Sequence, residues 1–188
     1  MEFNEIINNR RAYRSLEKVE ITEDLINDLV EHLKLSPSCF NNQPWRYIFV
    51  YEPTMLKNMH EALLQGNEWA KNASMIIAVF SHKDYDCKMP GRRYYLFDTG
   101  MATAYLLLRA TELGLVAHPI AGFSPKKTRK ILNIPDKMKV ITLIIVGKKS
   151  DKISDVLSED QKKKEKTRPE RLPSEEFVFH NSYKESEM

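Results

Sequence analysis

The sequence predicts an α+β fold. Two segments, 74–81 and 140–146, are apolar at nearly every position, which is typical of strands buried on both faces of a sheet. Other segments place their apolar residues at helical spacing, as 25–33 does with Leu25, Ile26, Leu29, Val30 and Leu33. These strands and helices do not follow a strict βαβ repeat, which indicates an α+β arrangement.

Capping residues and prolines set the predicted boundaries in the first half of the chain. Thr22 is a good N-cap because its hydroxyl can accept a hydrogen bond from a free backbone N–H, and Pro37 stops the helix that Thr22 begins. Pro53 opens the next helix, and Gly66 is its expected C-cap. The predicted elements here are helices over 2–9, from Thr22 to Pro37 and over 54–65, and strands over 46–51 and 74–81.

A long helix over 94–113, apolar nearly all round, dominates the second half. Such a helix is buried in a core or in a subunit interface. Residues 151–171 are highly charged and predict an exposed loop or a frayed helix, whereas 176–180 has the composition of a strand. A lone strand is unstable, so it must join a sheet in this subunit or another. The other predicted elements are a loop over 83–93, strands over 115–120 and 140–146, and a helix over 126–132.

Composition argues against several classes of protein. The length of 188 residues fits one domain, and the net charge of +3 is so evenly mixed that it does not demand a nucleic-acid partner. We expect no signal peptide and no membrane association, because no apolar stretch approaches the ~20 residues of a membrane span. Cys39 and Cys87 lie far apart without a CxxC pattern, which predicts neither a disulfide framework nor a metal site, and favours a reducing, cytoplasmic location.

Two polar segments are candidates for ligand binding. The cluster Arg10-Arg11-Ala12-Tyr13-Arg14 stands at a helix end, where arginines can hold phosphate oxygens through paired charge-assisted bonds, or can form a solvated basic face. Residues 36–45 carry Asn and Gln amides, which can donate to and accept from a ring system with carbonyls and ring nitrogens. The plain alternative for 36–45 is an ordinary turn with Trp45 in the core.

Two further segments are less specific. On the long helix, Gly100, Ala102 and Ala104 permit close approach of another helix or of a flat ligand, or they serve core packing. Residues 119–125 run from a strand into a helix N-terminus, where backbone N–H groups can face an anion. The five histidines are scattered and are interpreted as structural or surface residues.

Together and in this order, the segments resemble the nitroreductase family of FMN-dependent oxidoreductases. The resemblance covers almost the whole chain and rests on the ordered set rather than on one motif. The matching residues are Arg10-Arg11 with Arg14, Pro37-Ser38-Cys39 with Asn41 and Gln43-Pro44-Trp45, Asp98-Thr99-Gly100-Met101-Ala102, Glu112-Leu113-Gly114-Leu115, Pro119-Ile120-Ala121-Gly122-Phe123, and Arg171-Leu172-Pro173-Ser174-Glu175-Glu176-Phe177.

The resemblance implies a mostly antiparallel sheet flanked by helices, with a C-terminal strand exchanged in an intertwined homodimer. The chain would be one FMN-binding domain, 1–188, with a charged loop at 151–171 and an arm at 172–188. The implied ligands of the phosphate and ribityl side are Arg10, Arg11, Ala12, Arg14, Arg168 and Arg171. Pro37, Ser38 and Cys39 would line the flavin from the partner subunit, and Asn41 and Gln43 would hydrogen-bond the ring or the ribityl chain. Ile120, Ala121 and Gly122 would pass backbone groups near the flavin N5 edge, and Pro119 before them would also contact the cofactor.

The implied activity passes hydride from NADH or NADPH through the flavin to an electron-poor acceptor such as a nitroaromatic or a quinone. No catalytic side chain is expected, since the cofactor carries the hard step. Ala12 and Pro169 stand where the family often has Ser and Lys, and Phe40 narrows the expected pocket. The alternatives are an FMN enzyme for an enone, halogenated or tetrapyrrole-like acceptor, and a module that stores flavin without turnover.

Overall fold

A computed structural model describes residues 1–183, in which five strands form one sheet with only antiparallel pairings among them. The strands are β1 (Leu16–Glu17), β2 (Arg46–Val50), β3 (Met75–Ser81), β4 (Leu115–Ile120) and β5 (Lys139–Lys149). The α-helices are α1 (Phe3–Asn9), α2 (Glu23–Leu33), α3 (Pro53–Met59), α4 (Tyr94–Glu112), α5 (Pro125–Ile131) and α6 (Glu159–Lys166). The predicted α+β fold, a mostly antiparallel sheet flanked by helices, is confirmed.

Strand β5 organises the sheet. It pairs with β1, β3 and β4, and β2 extends the sheet beyond β3. The sequence predicts a strand over 140–146, but β5 continues through Gly147 to Lys149. Gly147 instead allows β1 to lie close to β5, since a Cβ there would lie 3.2 Å from the carbonyl oxygen of Glu17 in β1. The short strand β1, which the sequence analysis missed, is thereby held against β5.

Both faces of the sheet are buried, as the apolar composition of β3 predicts. Side chains alternate across a strand, so consecutive residues enter opposite layers. Ile76, Ala78 and Phe80 pack into one apolar core, together with residues of α3 and the 3-10 helix Glu68–Asn72. Met75, Ile77 and Val79 pack into the other core, with residues of α2 and α4. The sheet therefore lies between two helical layers.

The long helix α4 is buried on one flank only. Ala102, Leu106 and Ala110 are fully buried against the sheet and α2. The side chain of Arg109 ties α4 to α2 by donating two hydrogen bonds, 2.8 and 3.0 Å, to the carboxylate of Asp28. On the outer flank Phe97 is 57% exposed. The single chain therefore buries one flank of α4, and burial of the outer flank in a subunit interface stays a prediction.

Two predicted elements differ in the structure. The helix expected over 54–65 ends at Met59, because the chain turns through His60–Ala62 and then runs extended at Leu63, which bridges to Phe123. The strand predicted over 176–180 does not form within the single chain, and its pairing with another subunit stays a prediction. Residues Ser174–Glu176 form a 3-10 turn there, and the apolar side chains that follow are exposed.

The charged segment 151–171 contains the regular helix α6. Ser158 and Gln161 form a capping box at its start, which satisfies free N–H groups of the first turn. Residues 184–188 of the predicted C-terminal arm lie outside the described residues. Through residue 183, no helix is long and apolar enough to cross a membrane.

The two cysteines are joined by a disulfide, which corrects the expectation that they form none. Cys39 lies in the 3-10 helix Cys39–Asn41 after α2, and Cys87 lies in the loop before α4. Their Cα atoms are 5.8 Å apart across a sequence separation of 48 residues. Sequence spacing says nothing about such proximity, because the fold alone brings these loops together. The bond fastens the loop over 82–93 to the segment over 37–43.

Reduction of this disulfide is expected to lower the free energy of unfolding by about 2–4 kcal/mol, because a closed loop restricts the unfolded chain. The measurement is urea denaturation with and without a reductant, alongside mass spectrometry of alkylated thiols. Cys87→Ser is the matched control, since the reductant should not change its stability further. Two freely alkylated thiols in the folded, unreduced protein would contradict the pairing.

Candidate functional site

One cavity brings together arginines from both ends of the chain. The residues that line it are Arg10, Arg11, Ala12, Arg14, Lys164, Arg168, Pro169 and Arg171, and its volume is about 200 Å³. The backbone leaves α1 in an extended conformation at Arg10, so the arginine cluster faces the segment that follows α6. All six residues predicted for the phosphate and ribityl side thus line a single cavity, which we call the arginine cavity.

The arginine cavity holds an excess of positive charge. No Asp or Glu is among its lining residues within 1–183. Partial burial lowers the pKa of Arg10, and the nearby charges of Arg168, Arg171 and Arg11 lower it further. Converging guanidinium groups repel one another until an anion neutralises them, and they match phosphate oxygens in geometry. The residues present therefore fit a doubly charged phosphate group.

Buried rings connect the arginine segment to strand β4. The carbonyl of Tyr13 accepts a hydrogen bond of 3.0 Å from Nδ1 of His118. The His118 ring stacks on Trp69 with 4.7 Å between ring centroids, and the guanidinium of Arg14 lies 5.8 Å from the Trp69 ring. Burial lowers the pKa of His118 to about 4, so its imidazole is neutral near pH 7. The interpretation of His118 as a structural residue is supported, and its hydrogen bond to Tyr13 is a contact that the sequence did not predict.

Strand β4 ends in the predicted segment Pro119, Ile120, Ala121 and Gly122. Pro119 and Ile120 pair with β5, whereas Ala121 is exposed beyond the strand. The carbonyl of Gly122 accepts hydrogen bonds from Asn67 Nδ2 at 2.9 Å and from the N–H of Leu64 at 3.0 Å. A Cβ at Gly122 would lie 2.2 Å from Asn67 Nδ2, so glycine is needed for this contact. Because β4 also carries His118, it leads from the arginine cavity to this segment.

Asn67 is a site residue that the sequence analysis missed. It follows Gly66, so the Gly-Asn pair was available as a turn signal, but no spacing relates it to Gly122. Lys164 is a second missed residue, since it lines the arginine cavity from inside a segment that composition marks only as charged. Both come to the site through tertiary structure.

The segment over 37–43 lies apart from the arginine cavity in the single chain. None of its residues lines that cavity within the described part of the protein. Ser38 Oγ accepts a hydrogen bond from the N–H of Gln43, and the Gln43 amide donates to the side chain of Asn41. The N–H of Cys39 donates to the buried carboxylate of Asp98 at 3.1 Å. These bonds give the segment a fixed shape on the surface.

Three residues of this segment have left-handed backbone conformations. Phe40, Asn41 and Gln43 have φ angles of 50°, 55° and 46°, which non-glycine residues adopt only a few per cent of the time. The disulfide at Cys39 and the buried Asp98 hold the backbone in place despite this cost. Trp45, which follows, is buried in the core, as the plain interpretation of the segment predicts. Pro37, Asn41 and Gln43 are exposed on the surface of the single chain.

His118 is expected to make stability pH-dependent below neutrality. Its folded pKa is about 4 and its unfolded pKa is about 6.5, so the unfolded chain binds the proton first as pH falls. Stability should therefore fall by up to about 3 kcal/mol between pH 6.5 and pH 4. The measurement is urea denaturation across that range for wild type and His118→Gln.

The difference between the two proteins isolates the His118 contribution from that of the carboxylates. His180→Gln, at an exposed histidine, is the control and should follow the wild-type profile. An identical pH dependence in wild type and His118→Gln would refute this account of the buried ring.

Comparison with known proteins places the chain in a family. The model of the nitroreductase family matches residues 7–68 and 60–148. A protein of Archaeoglobus fulgidus, named as a candidate NADH dehydrogenase/NAD(P)H nitroreductase, is 31% identical over 153 residues, covering 78% of this chain and 84% of its own. A protein of Thermus thermophilus named NADH dehydrogenase is 24% identical over 170 residues, covering 73% and 82%.

Solved structures agree with the sequence relatives. An oxidoreductase whose structure contains FMN superposes with a TM-score of 0.84 at 26% identity, over 96% of this chain and 92% of the other. A nitroreductase-like protein of Exiguobacterium sibiricum in complex with FMN shares the fold, with a TM-score of 0.78 at 20% identity over 96% and 98%. The extent of the family match and the identity with the Archaeoglobus fulgidus protein together show that this chain belongs to the nitroreductase family.

Proposed function

We propose that this chain is an FMN-dependent oxidoreductase that carries reducing equivalents from NADH or NADPH to an electron-poor acceptor such as a nitroaromatic or a quinone. The observation that supports this most strongly is the arginine cavity, where arginines from both ends of the chain converge without a lining carboxylate among residues 1–183. Similarity to the FMN-containing oxidoreductase supports the identity of the cofactor. When bound, FMN supplies hydride transfer at its N5 atom.

The chain's own residues bind and orient this cofactor. Arg10, Arg11 and Arg14 hold the phosphate from one side, and Arg168 and Arg171 hold it from the other. Ala12 offers no hydroxyl, so its contribution is limited to backbone and shape. Because guanidinium groups make paired charge-assisted bonds to phosphate oxygens, they fix its position as well as its charge. This end of the site sets cofactor affinity.

The end of β4 positions the flavin ring. Ala121 and Gly122 follow a strand that is locked to β5, and Asn67 fixes the carbonyl of Gly122. As the family resemblance implies, backbone groups of Pro119, Ile120, Ala121 and Gly122 would hold the N5 edge of the flavin from this rigid support. The protein supplies orientation, and the reaction needs no catalytic side chain of its own.

We also propose that the protein is a homodimer and that each site is completed by the partner. Large apolar side chains are exposed on α1, α4 and the C-terminal segment, among them Phe3, Phe97 and Phe177. A contiguous apolar patch marks an interaction site, and these side chains are the candidates for one. In the dimer, Pro37, Ser38, Cys39, Asn41 and Gln43 of one subunit line the flavin or its ribityl chain in the other, which accounts for the exposure of Pro37, Asn41 and Gln43 in the single chain. The C-terminal segment pairs with the partner as an exchanged strand.

The remaining proposals concern the whole chain. Residues 1–188 act as a single FMN-binding domain, without association with a membrane or a nucleic acid. We propose a cytoplasmic location for the protein. The disulfide between Cys39 and Cys87 means that this proposal does not rest on two unpaired thiols. Disulfides are rare in reducing compartments, so the state of this pair in cells bears on where the protein works.

The purified protein is expected to be yellow and to release FMN on denaturation. Anaerobic addition of NADH or NADPH should bleach the flavin absorbance, and a nitroaromatic or a quinone should restore it. Failure to bleach would favour flavin storage without turnover. If the flavin bleaches but only enone, halogenated or tetrapyrrole-like acceptors restore its absorbance, the acceptor belongs to one of those classes instead. A colourless protein that takes up no FMN would end the proposal.

Within that experiment, Arg10→Ala should weaken FMN binding about ten-fold to a hundred-fold, because contacts to charged groups contribute roughly 1.5–3 kcal/mol each. The measurement is quenching of FMN fluorescence on titration. Arg92→Ala is the matched control, since Arg92 is an exposed arginine outside the arginine cavity. An unchanged dissociation constant for Arg10→Ala would show that the cluster is only a solvated basic face.

Removal of residues 171–188 is expected to weaken the dimer and to release FMN, because it deletes Arg171 together with the exposed apolar segment. Light scattering reports the mass, and absorbance reports the flavin content. Full-length Arg171→Ala separates the two effects, since it should lose FMN affinity and remain dimeric. If the shortened chain is a fully yellow dimer with an unchanged melting temperature, the C-terminal segment has neither role.

A further inference from the structure

We propose that Glu165 on α6 is a positioning residue for the FMN phosphate, because its carboxylate fixes the backbone that presents the arginines of the cavity. This inference rests on the proposed function and deepens it. It makes α6 part of the cofactor site, although the helix lies in a segment whose composition suggests only a charged connection.

Glu165 binds two successive backbone amides in the arginine segment. One carboxylate oxygen accepts from the N–H of Arg14 at 2.9 Å, and the other accepts from the N–H of Ser15 at 3.0 Å. The glutamate is 8% exposed, so water offers these amides little alternative. Hydrogen bonds to an ionised acceptor are stronger than neutral ones. The contact joins residues 150 positions apart in the sequence.

The peptide group between Tyr13 and Arg14 is held from both sides. Its N–H donates to Glu165, and its C=O accepts from Nδ1 of His118. A peptide group is planar, so two bonds in opposite directions fix its orientation about the chain axis. That orientation sets the direction in which the Arg14 side chain leaves the backbone. Glu165 therefore fixes the point and the direction from which the Arg14 side chain extends.

The end of α6 and the residues after it add contacts to the same segment. The carbonyl of Lys164 accepts a hydrogen bond of 2.6 Å from Arg11, and the guanidinium of Arg168 donates to the carbonyls of Arg10 and Asn8. Glu165 differs from these groups because it binds the segment through a carboxylate, which itself would repel a phosphate. A carboxylate behind the arginine cavity is explained by its hydrogen bonds to the backbone, since its charge would disfavour a bound phosphate.

This opposition gives the test a definite sign. If the charge of Glu165 acted only through space, replacing it with a neutral residue would strengthen the binding of a dianion. If Glu165 positions the arginines, Glu165→Gln weakens FMN binding, since the amide NH₂ cannot accept from the second backbone N–H. The two roles predict changes in opposite directions.

The experiment measures the dissociation constants of FMN and of riboflavin for wild type, Glu165→Gln and Glu159→Gln. Glu159 lies on the same helix and is exposed, with its carboxylate on Lys162, so its variant removes the same charge without touching the arginine segment. We expect Glu165→Gln to weaken FMN binding about ten-fold, the effect of misplacing one charge-assisted arginine contact to the phosphate. Riboflavin lacks the phosphate, so its affinity should not change, and Glu159→Gln should bind both ligands as wild type does.

Unchanged or tighter FMN binding by Glu165→Gln overturns the inference, and so does an equal loss of FMN and riboflavin affinity. If the variant does not fold, amide hydrogen exchange in the full-length wild-type protein decides the matter. Slow exchange of the Arg14 and Ser15 amides compared with that of Arg11 supports their hydrogen bonds to Glu165, and fast exchange at both amides overturns the inference. Wild-type protein that binds no FMN refutes the proposed function itself, a result distinct from normal wild-type binding with an unaffected variant.

Discussion

The candidate site depends on the peptide group between Tyr13 and Arg14, which is held by His118 on one side and by Glu165 on the other. Arginine side chains are long and repel one another, so a cluster of them has no preferred geometry by itself. Here the geometry comes from the backbone, which is fixed by a strand of the central sheet and by a helix near the C-terminus. The positive charge can converge on one cavity because neutral and anionic partners hold the chain behind it.

Strand β5 connects these supports. Its pairing with β4 places His118 and the segment 119–122, and the chain that leaves β5 continues into α6. Ser15 links the two regions, since its carbonyl accepts from the N–H of Ser150 and its hydroxyl accepts from the N–H of Ser154. The phosphate end and the ring end of the proposed flavin site therefore share one rigid frame. Such a frame preserves the distance between the two ends, which orientation of a cofactor requires.

The surface formed by residues 37–43 is held in a different way from the arginine cavity. The segment over 37–43 is held by the disulfide at Cys39 and by the buried carboxylate of Asp98, and several of its residues are strained and exposed. Burial raises the pKa of Asp98, while the N–H of Cys39 favours its ionised form. Strained, exposed backbone persists only where neighbouring contacts over-determine it. Within the single chain this surface has a defined shape but lacks the partner that our proposed dimer supplies.

Capping residues and hydrophobic periodicity correctly predicted the elements that are determined by neighbouring residues. Thr22 caps α2 as predicted, β3 is buried along its length, and β4 has its predicted bounds, because caps and periodicity act over a few residues. The strand expected at 176–180 does not form within the single chain, since composition alone cannot supply the edge with which a strand must pair. Arg10 and Arg171 were both expected at the phosphate through family resemblance, and the fold brings them to one cavity.

The sequence by itself determined the α+β class, the positions of most helices and strands, and the arginines that could meet a phosphate. Only the tertiary structure decided that Cys39 bonds Cys87, that Asn67 meets Gly122, and that Glu165 clamps the arginine segment. The physical reason is the distance along the sequence over which each interaction acts. Propensity, capping and hydrophobic periodicity are properties of neighbouring residues, whereas these three contacts join residues 48 to 150 positions apart and exist only once the sheet has placed their loops side by side.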